Sequence, residues 1–285
     1  MKKHVMVADV LGLSDTDPLM PILRASENAL AAVLRLLADM PGVRVIEDTY
    51  GFRFFNMQMP PESTLFLTRW PRENADVLLD AELTRIESMG LDIDWNLFGP
   101  PSPPDLPDRL LGRGLTAQRN LWLVADFAAL PPAPPKPPEL RIVRVDSDAR
   151  WDDWQAAFER GFNSEHGAPR YRKAYAVKPL DFRGHRRAHH VGYVGARPVV
   201  CSSLLVADGH ATFWDIATAP DHRRRGYGAA IVRQLVDEAI QTGCRTGSLN
   251  SSALGRSMYM ALGFERVVDL PEYHWSAPAR MVGAK

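Results

Sequence analysis

Hydrophobic and polar positions follow regular patterns in two regions of the chain, which a proline-rich stretch separates. In the first region, apolar residues at helical spacing predict a helix over 26–38 and a second helix from about Ala75. Asn74 can cap the second helix, and Gly90 can end it. Shorter apolar runs predict strands at 43–46, 52–57, 91–97 and 120–125, with a short helix near 106–111. We therefore expect mixed α and β structure in this half.

The second region predicts the element order β-α-β-β-β-α-β-α-β. A strand over 140–145 and a helix over 152–162 come first, followed by three strands whose connecting turns contain Gly195 and Gly209. Such short turns are typical of an antiparallel meander. The remaining elements are a helix over 228–242, a strand over 244–249, a second helix and a last pair of strands. The predicted fold class is α+β with a mixed sheet.

Prolines divide the chain, since eleven of its 23 prolines fall between Pro100 and Pro138. The stretch 131–138 can form neither a helix nor a central strand and favours an extended polyproline II connector. We therefore expect a domain over 1–130, a linker over 131–139 and a second domain over 140–285. The alternative is that this stretch is a ligand for an aromatic recognition groove.

Composition excludes several classes of protein. With 46% hydrophobic and 24% charged residues the chain is expected to fold, and 34 basic against 34 acidic residues give no net field that would attract nucleic acid. Cys201 and Cys244 lack the paired spacing of a structural zinc site, so no metal is expected. The apolar stretch at the N-terminus is broken at Asp9, and no run is long enough to span a membrane. We expect a cytoplasmic protein.

A glycine-containing turn lies between the third meander strand and the long helix, with the sequence Arg223-Arg224-Arg225-Gly226-Tyr227-Gly228-Ala229. Its glycines let backbone N–H groups converge at a helix N-terminus, where the helix dipole favours a phosphate. The phosphate loop of nucleotide triphosphatases requires a lysine after its second glycine, and this turn has none. The dinucleotide-binding fingerprint follows the first strand of a parallel βαβ unit, whereas an antiparallel meander precedes this turn. The alternative is a solvated face of three arginines.

A second motif runs from Ser252 to Phe264 and reads S-x-x-G-x-x-x-Y-x-x-x-G-F. Together with the glycine turn, this motif resembles the GNAT superfamily of N-acetyltransferases, whose donor is acetyl-CoA. The family pattern R/Q-x-x-G-x-G/A matches at Arg223, Gly226 and Gly228. The resemblance covers about residues 140–276, and it implies a GNAT-like acyltransferase fold there.

The resemblance also implies where acetyl-CoA would bind. The strands 214–218 and 244–249 would splay apart beside the pantetheine arm, the amides from Arg224 to Ala229 would hold the pyrophosphate, and an amide near Ala217 or Thr218 would polarise the thioester carbonyl. Ser252 replaces a common asparagine and is a candidate contact. The expected cofactor-binding residues are Ile216, Ala217, Thr218, Arg223, Arg224, Arg225, Gly226, Tyr227, Gly228, Ala229 and Ser252.

Two residues are candidates for catalysis. Tyr259 lies where the family's tyrosine gives its proton to the CoA sulfur, and its alternative is a tyrosine that only packs in the core. Asp215 is the nearest carboxylate before the glycine turn and is the candidate general base; it is expected on the strand face opposite Trp214 and Ile216. Alternatively, Asp215 only pairs with an arginine. Members of the family draw their general base from different positions or use water. His210 and His222 are read as surface residues.

The first half is expected to be a vestigial GNAT-like domain. Leu110 takes the place of the tyrosine, and the stretch 69–74 before the helix at Ala75 contains no glycine. The segment 95–100 resembles a tract found in such degenerate copies. This half should not catalyse, and the alternative is an adaptor domain of unrelated fold.

The predicted function is acetyl-CoA-dependent N-acetylation by direct attack of an amine, and the rival is a non-catalytic acyl-CoA sensor. A nucleic-acid module that uses Arg223–Arg225 is disfavoured by the zero net charge. The expected partner is a small-molecule or peptide amine that accepts the acetyl group. Neither nucleic acid nor a membrane is expected to bind, and the sequence leaves a homodimer open. The acceptor loop is placed at 162–180, with His166, Arg170, Tyr171, Arg172 and Tyr175. The basic stretch 183–190 is expected to be a solvated loop, or else to contact the CoA 3′-phosphate or an acidic substrate.

Overall fold

A computed structural model describes residues 7–9, 12–35, 37–39, 41–57, 62–163, 180–182 and 185–276 of the chain. It contains two compact units. Leu121–Val268 form the C-terminal unit together with Val7, and Ala8–Asn120 form the N-terminal unit together with residues 269–276.

The first half of the chain alternates helices and strands as the sequence predicts, with two further strands, β1 (Val7–Asp9) and β4 (Glu62–Phe66). Its elements are β1 (Val7–Asp9), α1 (Met20–Arg35), β2 (Val43–Asp48), β3 (Gly51–Asn56), β4 (Glu62–Phe66), α2 (Ala75–Met89), β5 (Ile93–Asn96), α3 (Leu106–Gly112) and β6 (Thr116–Asp126). In the N-terminal unit, β2, β3 and β4 form an antiparallel meander, β4 pairs parallel with β5, and β5 pairs antiparallel with β13 (Arg266–Trp275). The core between this sheet and α2 contains Leu65, Leu79, Ile86 and Trp95.

The second half contains the remaining elements. They are β7 (Leu140–Arg144), α4 (Asp148–Asn163), β8 (Leu180–Phe182), β9 (His185–Val194), β10 (Arg197–Ala207), β11 (His210–Thr218), α5 (Tyr227–Gln241), β12 (Thr246–Asn250), α6 (Arg256–Ala261) and β13. The sheet of the C-terminal unit has the order β6-β12-β11-β10-β9-β7. The β11–β12 pair is parallel and its neighbours are antiparallel, so the predicted mixed sheet is confirmed.

Two helices cover opposite faces of this sheet. Val191, Tyr193 and Cys201 pack with Trp154 of α4, whereas Leu204 and Phe213 pack with Leu235 of α5. Since side chains alternate along a strand, each face of the meander has its own core. We call these the α4 face and the α5 face.

Several predicted boundaries are wrong. Helix α1 begins at Met20 rather than near Ser26, because the Asp17 carboxylate accepts from the amide of Leu19, 2.8 Å away, at the start of the helix. Strand β4 was not predicted. The expected last pair of strands is one strand, β13, which continues through Pro271.

Along the chain, the division between the two compact units does not fall at the proline-rich stretch. Residues 121–126 of β6 pair with β12 and so pack within the C-terminal unit, although they precede the prolines. At the other end, residues 269–276 return to the N-terminal unit. Residues 131–137 form neither helix nor strand, in keeping with an extended segment.

The described residues provide two further observations. None of their helices combines the length and apolar character that crossing a lipid bilayer requires. Within the same residues, no group of three or more His, Cys, Asp or Glu side chains could hold a metal ion.

Candidate active site

The parallel strands β11 and β12 pair only along their first residues. Their register runs from His210 opposite Thr246 to Phe213 opposite Leu249 and goes no further in the described part of the chain. The edge of β11 from Trp214 to Thr218 is thus unpaired on the β12 side, as the resemblance implies. The implied opening along 244–249 is wrong, because Thr246–Leu249 are paired and the strands separate only after Leu249.

A bulge shapes β11 where this opening begins. In the register with β10, Cys201 faces Ala217 and Ser203 faces Trp214, so β11 contains an extra residue there. Asp215 has a φ of 55°, which is uncommon for a residue with a side chain. The bulge breaks the strict alternation assumed from the sequence.

The bulge changes which way the side chains of β11 point. Ile216 packs on the α5 face and Asp215 bonds Ser203 on the α4 face, as predicted. Trp214, however, contacts Trp122, whose neighbour Leu123 lies in the α5-face core. Trp214 and Asp215 therefore share the α4 face, and the prediction that they lie on opposite faces of the strand is wrong.

The glycine turn has the geometry of an anion cradle. Arg224 and Gly226 have positive φ values of 62° and 81°, and α5 begins directly after Gly226 without a side-chain cap. The amides from Arg224 to Ala229 donate to no group among the described residues. Unused amides at a helix N-terminus form a site for a phosphate.

Gly228 lies where the turn meets α6. A Cβ atom built on Gly228 would approach Sδ of Met258 at 3.0 Å and Oγ1 of Thr218 at 3.5 Å. Even an alanine would therefore press on α6 and on the end of β11. The absence of a side chain keeps the cradle open to a ligand.

The three arginines of the turn differ in their roles. Arg223 donates from Nε to the Thr218 carbonyl, 3.1 Å away, and from Nη2 to the Gly161 carbonyl, 3.0 Å away. It thus links the end of α4 to the end of β11. Arg224 and Arg225 are exposed, so their charge is available to a bound anion.

The proline-rich stretch runs beside this turn. Pro137 would contact a Cβ atom at Gly226, at 3.4 Å, and the Tyr227 hydroxyl donates to Glu139 at 2.7 Å. The bond to Glu139 is the main reason why the pKa of Tyr227 is raised, and its side chain is fully buried. Of Tyr227, only the backbone amide is thus available to a ligand.

Tyr259 is buried on α6 with its ring against Phe264. A Cβ atom at Gly255 would lie 2.6 Å from the tyrosine ring, which explains the glycine four residues earlier in the motif. Burial raises the pKa of the Tyr259 phenol well above its ordinary value. The hydroxyl bonds to no group among the described residues. It therefore remains protonated at neutral pH and has its proton available.

Ser252 has a local partner. Its side chain is exposed, and its Oγ accepts from the amide of Gly255, 3.2 Å away, at the start of α6. The oxygen thus closes the turn that precedes α6. A contact with a cofactor stays a prediction.

Asp215 belongs to a chain of polar side chains on the α4 face. Its Oδ2 accepts from Ser203 at 2.5 Å and from Nη2 of Arg187 at 3.3 Å. Ser203 also bonds Nδ1 of His189 at 2.7 Å, and the His189 ring lies against Trp151 and Trp154. The open alternative of an ion pair with an arginine thus describes the contacts of Asp215. Its role as a base stays a prediction.

The basic stretch that contains Arg187 and His189 is not a solvated loop. Residues 185–194 form β9, in which Arg187 is 7% exposed and His189 and His190 are buried. Arg186 and His190 bond Glu238 on the α5 face, while Arg187 and His189 lie on the α4 face. The sequence predicted this first meander strand only from His190 onward and missed residues 185–189, because polar residues occupy both faces of the strand there.

Two other histidine predictions differ in outcome. His210 is buried rather than on the surface, since it bonds Thr246 and Ser248 across the parallel pair, and burial lowers its pKa to about 4. His222 is half-buried and bonds Asp221 at 3.1 Å. The predicted acceptor-loop residues His166, Arg170, Tyr171, Arg172 and Tyr175 lie outside the described residues.

The N-terminal unit repeats this architecture with different residues. Its parallel pair ends at Leu65 opposite Trp95, and Leu67 has a φ of 55°, just as Asp215 does two residues after the last pair of β11. A cavity near Leu67 has a volume of ≈ 10 Å³, about enough for one water molecule. Leu110 is fully buried in the core and supplies no hydroxyl.

Comparison with known families agrees with the geometry of the C-terminal unit. Residues 148–264 match the family model described as the acetyltransferase (GNAT) family. The match includes the meander, the glycine turn and Tyr259. Residues 148–264 are a GNAT domain. The predicted membership is thus confirmed, and the domain belongs to a family of acyltransferases.

Solved structures extend the similarity to the N-terminal unit. A GCN5-related N-acetyltransferase from Kribbella flavida has a TM-score of 0.67 and 15% identity, over 94% of this chain and 98% of that one. A tandem GNAT protein from the clavulanic acid biosynthesis pathway has a TM-score of 0.59 and 15% identity, over 93% of this chain and 97% of that one. An enzyme of the same class from Sphaerobacter thermophilus has a TM-score of 0.54 and 14% identity, over 90% of each chain.

At such low identity these similarities show the fold alone. Because the tandem protein is covered almost completely, they confirm a GNAT-like fold in both halves. The comparison with curated proteins gave no match.

Proposed function

We propose that the GNAT domain binds acetyl-CoA and transfers its acetyl group to an amine. The observation that carries this proposal is the set of unused amides from Arg224 to Ala229, beside the unpaired edge of β11. Tyr259 lies on α6, whose Met258 borders the same turn at Gly228. Donors for phosphate and an available hydroxyl are thus on elements that meet where β11 and β12 separate.

The residues present suit the cofactor. The amides of the turn and the exposed Arg224 and Arg225 would hold the phosphates, and the edge from Trp214 to Thr218 would pair with the pantetheine arm. Gly228 leaves the approach open. When bound, acetyl-CoA supplies an acetyl group that its thioester activates towards amines.

One amide is best placed to hold the acetyl carbonyl. The Ala217 amide bonds Sγ of Cys201, and the Ala219 amide bonds the Val199 carbonyl 2.8 Å away, so both point towards β10. Because amides alternate along a strand, the Thr218 amide points away from β10, to the side that β12 leaves open. Between the two predicted donors, the geometry favours Thr218 over Ala217.

We assign the two proton transfers of the reaction, to the leaving sulfur and from the amine, to different groups. Tyr259 is protonated at neutral pH, as phenols are, and burial raises its pKa further, so it has a proton to donate to the leaving sulfur. The bonds from Ser203 and Arg187 both fall on Oδ2 of Asp215, so Oδ1 is the atom that would accept from the amine of the acceptor. We assign Asp215 to orienting the acceptor and water to removing the amine proton.

Calorimetric titration tests the proposal. Acetyl-CoA should bind the whole chain saturably, ATP should not compete, and an amine panel should produce thiol release. Gly226→Trp should abolish binding, because a side chain at this positive φ would be strained and would fill the cradle. Absence of acetyl-CoA binding refutes the proposal, whereas binding without thiol release from any amine identifies an acyl-CoA sensor.

A further inference from the structure

A buried arginine beside Asp215 has donors for which the described residues provide no acceptor. Arg187 is 7% exposed, and its Nη2 donates to Asp215 at 3.3 Å. Its Nε and Nη1 bond to no group among the described residues. Leaving charged N–H donors buried without an acceptor is costly, so these atoms are suited to an acceptor that arrives from outside the protein.

The position of Arg187 connects it to the reacting centre. Its backbone lies opposite Leu205 of β10, and its side chain reaches the β11 bulge. Asp215 is three residues before Thr218, whose amide points into the opening of the sheet. Arg187 and Asp215 thus form an ion pair at the edge of the proposed acetyl site, on the α4 face.

We infer that the acceptor is an amine that also carries a carboxylate, as in an amino acid, and that Arg187 binds this carboxylate. The inference rests on the proposed function and specifies its substrate class. Guanidinium N–H groups and a carboxylate make charge-assisted hydrogen bonds, and the Asp215 carboxylate attracts the ammonium of the same molecule.

Charge balance favours this class over phosphorylated amines. A zwitterion pairs each of its charges with the opposite member of the Arg187–Asp215 pair, so no net charge is buried. A phosphate dianion would leave excess negative charge beside Asp215, and an amine without an acid group would leave the Arg187 donors unused.

The experiment compares matched acceptors on the wild-type chain. L-α-amino acids are tested beside their α-amides and the decarboxylated amines, by calorimetric binding without acetyl-CoA and by thiol release with it. We expect at least one amino acid to be favoured over its own amide by roughly 10- to 100-fold, the size of a lost charge-assisted bond. Equal binding of acid and amide, or no acid in the panel bound at all, overturns the inference.

Two variants locate the effect. Arg187→Gln should remove the preference for the acid and leave the acetyl-CoA affinity unchanged, while Arg187→Lys should retain part of it. Arg186→Gln is the matched control, because Arg186 is adjacent in β9 but bonds Glu238 on the α5 face, 2.8 Å away. A preference that persists in Arg187→Gln overturns the inference, and equal loss in Arg186→Gln does so too.

The readouts separate this inference from the proposed function. Amino-acid binding is measured without acetyl-CoA, so it does not depend on the proposed acetyl-CoA site. Failure of acetyl-CoA to bind refutes the proposed function, whereas acetyl-CoA binding with no discrimination between acid and amide refutes only the substrate class.

Discussion

Tyr259 combines a buried ring with a hydroxyl that we propose as the general acid. Its ring packs in the α5-face core, while its hydroxyl has no partner among the described residues. Tyr259→Phe should therefore leave the thermal midpoint nearly unchanged and lower kcat by roughly 100-fold or more, the usual contribution of a general acid. Steady-state thiol release together with acetyl-CoA calorimetry measures both effects. A weakened acetyl-CoA affinity with normal kcat would contradict the acid role.

Glu27 of α1 provides a pH prediction for the N-terminal unit. It is 4% exposed, accepts from the Leu67 amide at 3.0 Å, and has a pKa that burial raises to about 7. The folded chain thus keeps a proton that the unfolded chain loses above about pH 4.5. The free energy of unfolding should fall as the pH rises through this window, by up to about 3 kcal/mol, and then level off.

The test of this pH dependence is Glu27→Gln, which keeps an acceptor for Leu67 and removes the charge. The variant should be more stable than the wild type at pH 8 and should lose the slope between pH 5 and 7 in urea unfolding. Glu87→Gln, at an exposed position of α2, should change neither. An unchanged slope in Glu27→Gln would show that another group titrates.

Some features of individual site residues could be predicted from the sequence and others could not. Tyr259 became a candidate through the resemblance of its motif to the GNAT family, and the contact of its ring with Gly255 accounts for one glycine of that motif. The orientations of Trp214 and Asp215 depend on a register shift against β10, which no local pattern contains. The burial of Arg187 was hidden for a similar reason, since it depends on the elements that cover β9.

Among the elements, the start of α5 carries the most specific expectation. In Gly228→Val, the new side chain would press on Met258 and Thr218 and occupy the cradle, so acetyl-CoA should bind at least roughly 10-fold more weakly. Gln234→Val, at an exposed position of the same helix, controls for the helix propensity of valine. Calorimetry of both variants measures the difference, and equal affinities would exclude a ligand at Gly228.

Elements with a clear period were predictable and those without one were not. The spacing of Leu79 and Ile86, followed by Gly90 with a φ of 66°, predicted α2 almost to its ends. Strand β4 has only five residues and follows two prolines, so its sequence resembled a loop. The proline-rich stretch forms neither helix nor strand over 131–137, and its contacts with Gly226 and Tyr227 depend on the tertiary fold.

The molecule contains two copies of one architecture, and among the described residues only the C-terminal copy has the glycine turn and the tyrosine of the proposed acetyl-CoA site. Acetyl-CoA should therefore titrate to about one molecule per chain, and Gly228→Val should remove that site without revealing another. Equilibrium dialysis of both proteins measures the stoichiometry. A second saturable site that persists in the variant would place cofactor binding in the N-terminal unit and contradict the reading of Leu110 and the glycine-free turn.

The two-copy arrangement was predictable because each half repeats the order of its helices and strands. The boundary was not, because strands β6 and β13 each have residues in both compact units. A search for domain boundaries by composition identifies proline-rich segments. It does not identify a strand whose first residues belong to one compact unit and whose last residues belong to the other.

Gly161 and Ala217 form one tight contact between α4 and β11. A Cβ atom on Gly161 would lie 2.4 Å from that of Ala217, closer than two such atoms approach in proteins. The pair therefore has room for one methyl group, whichever residue carries it. In an evolving lineage the two positions should change together, and in a library that randomises both, functional clones should exchange the small residue between them rather than enlarge either alone.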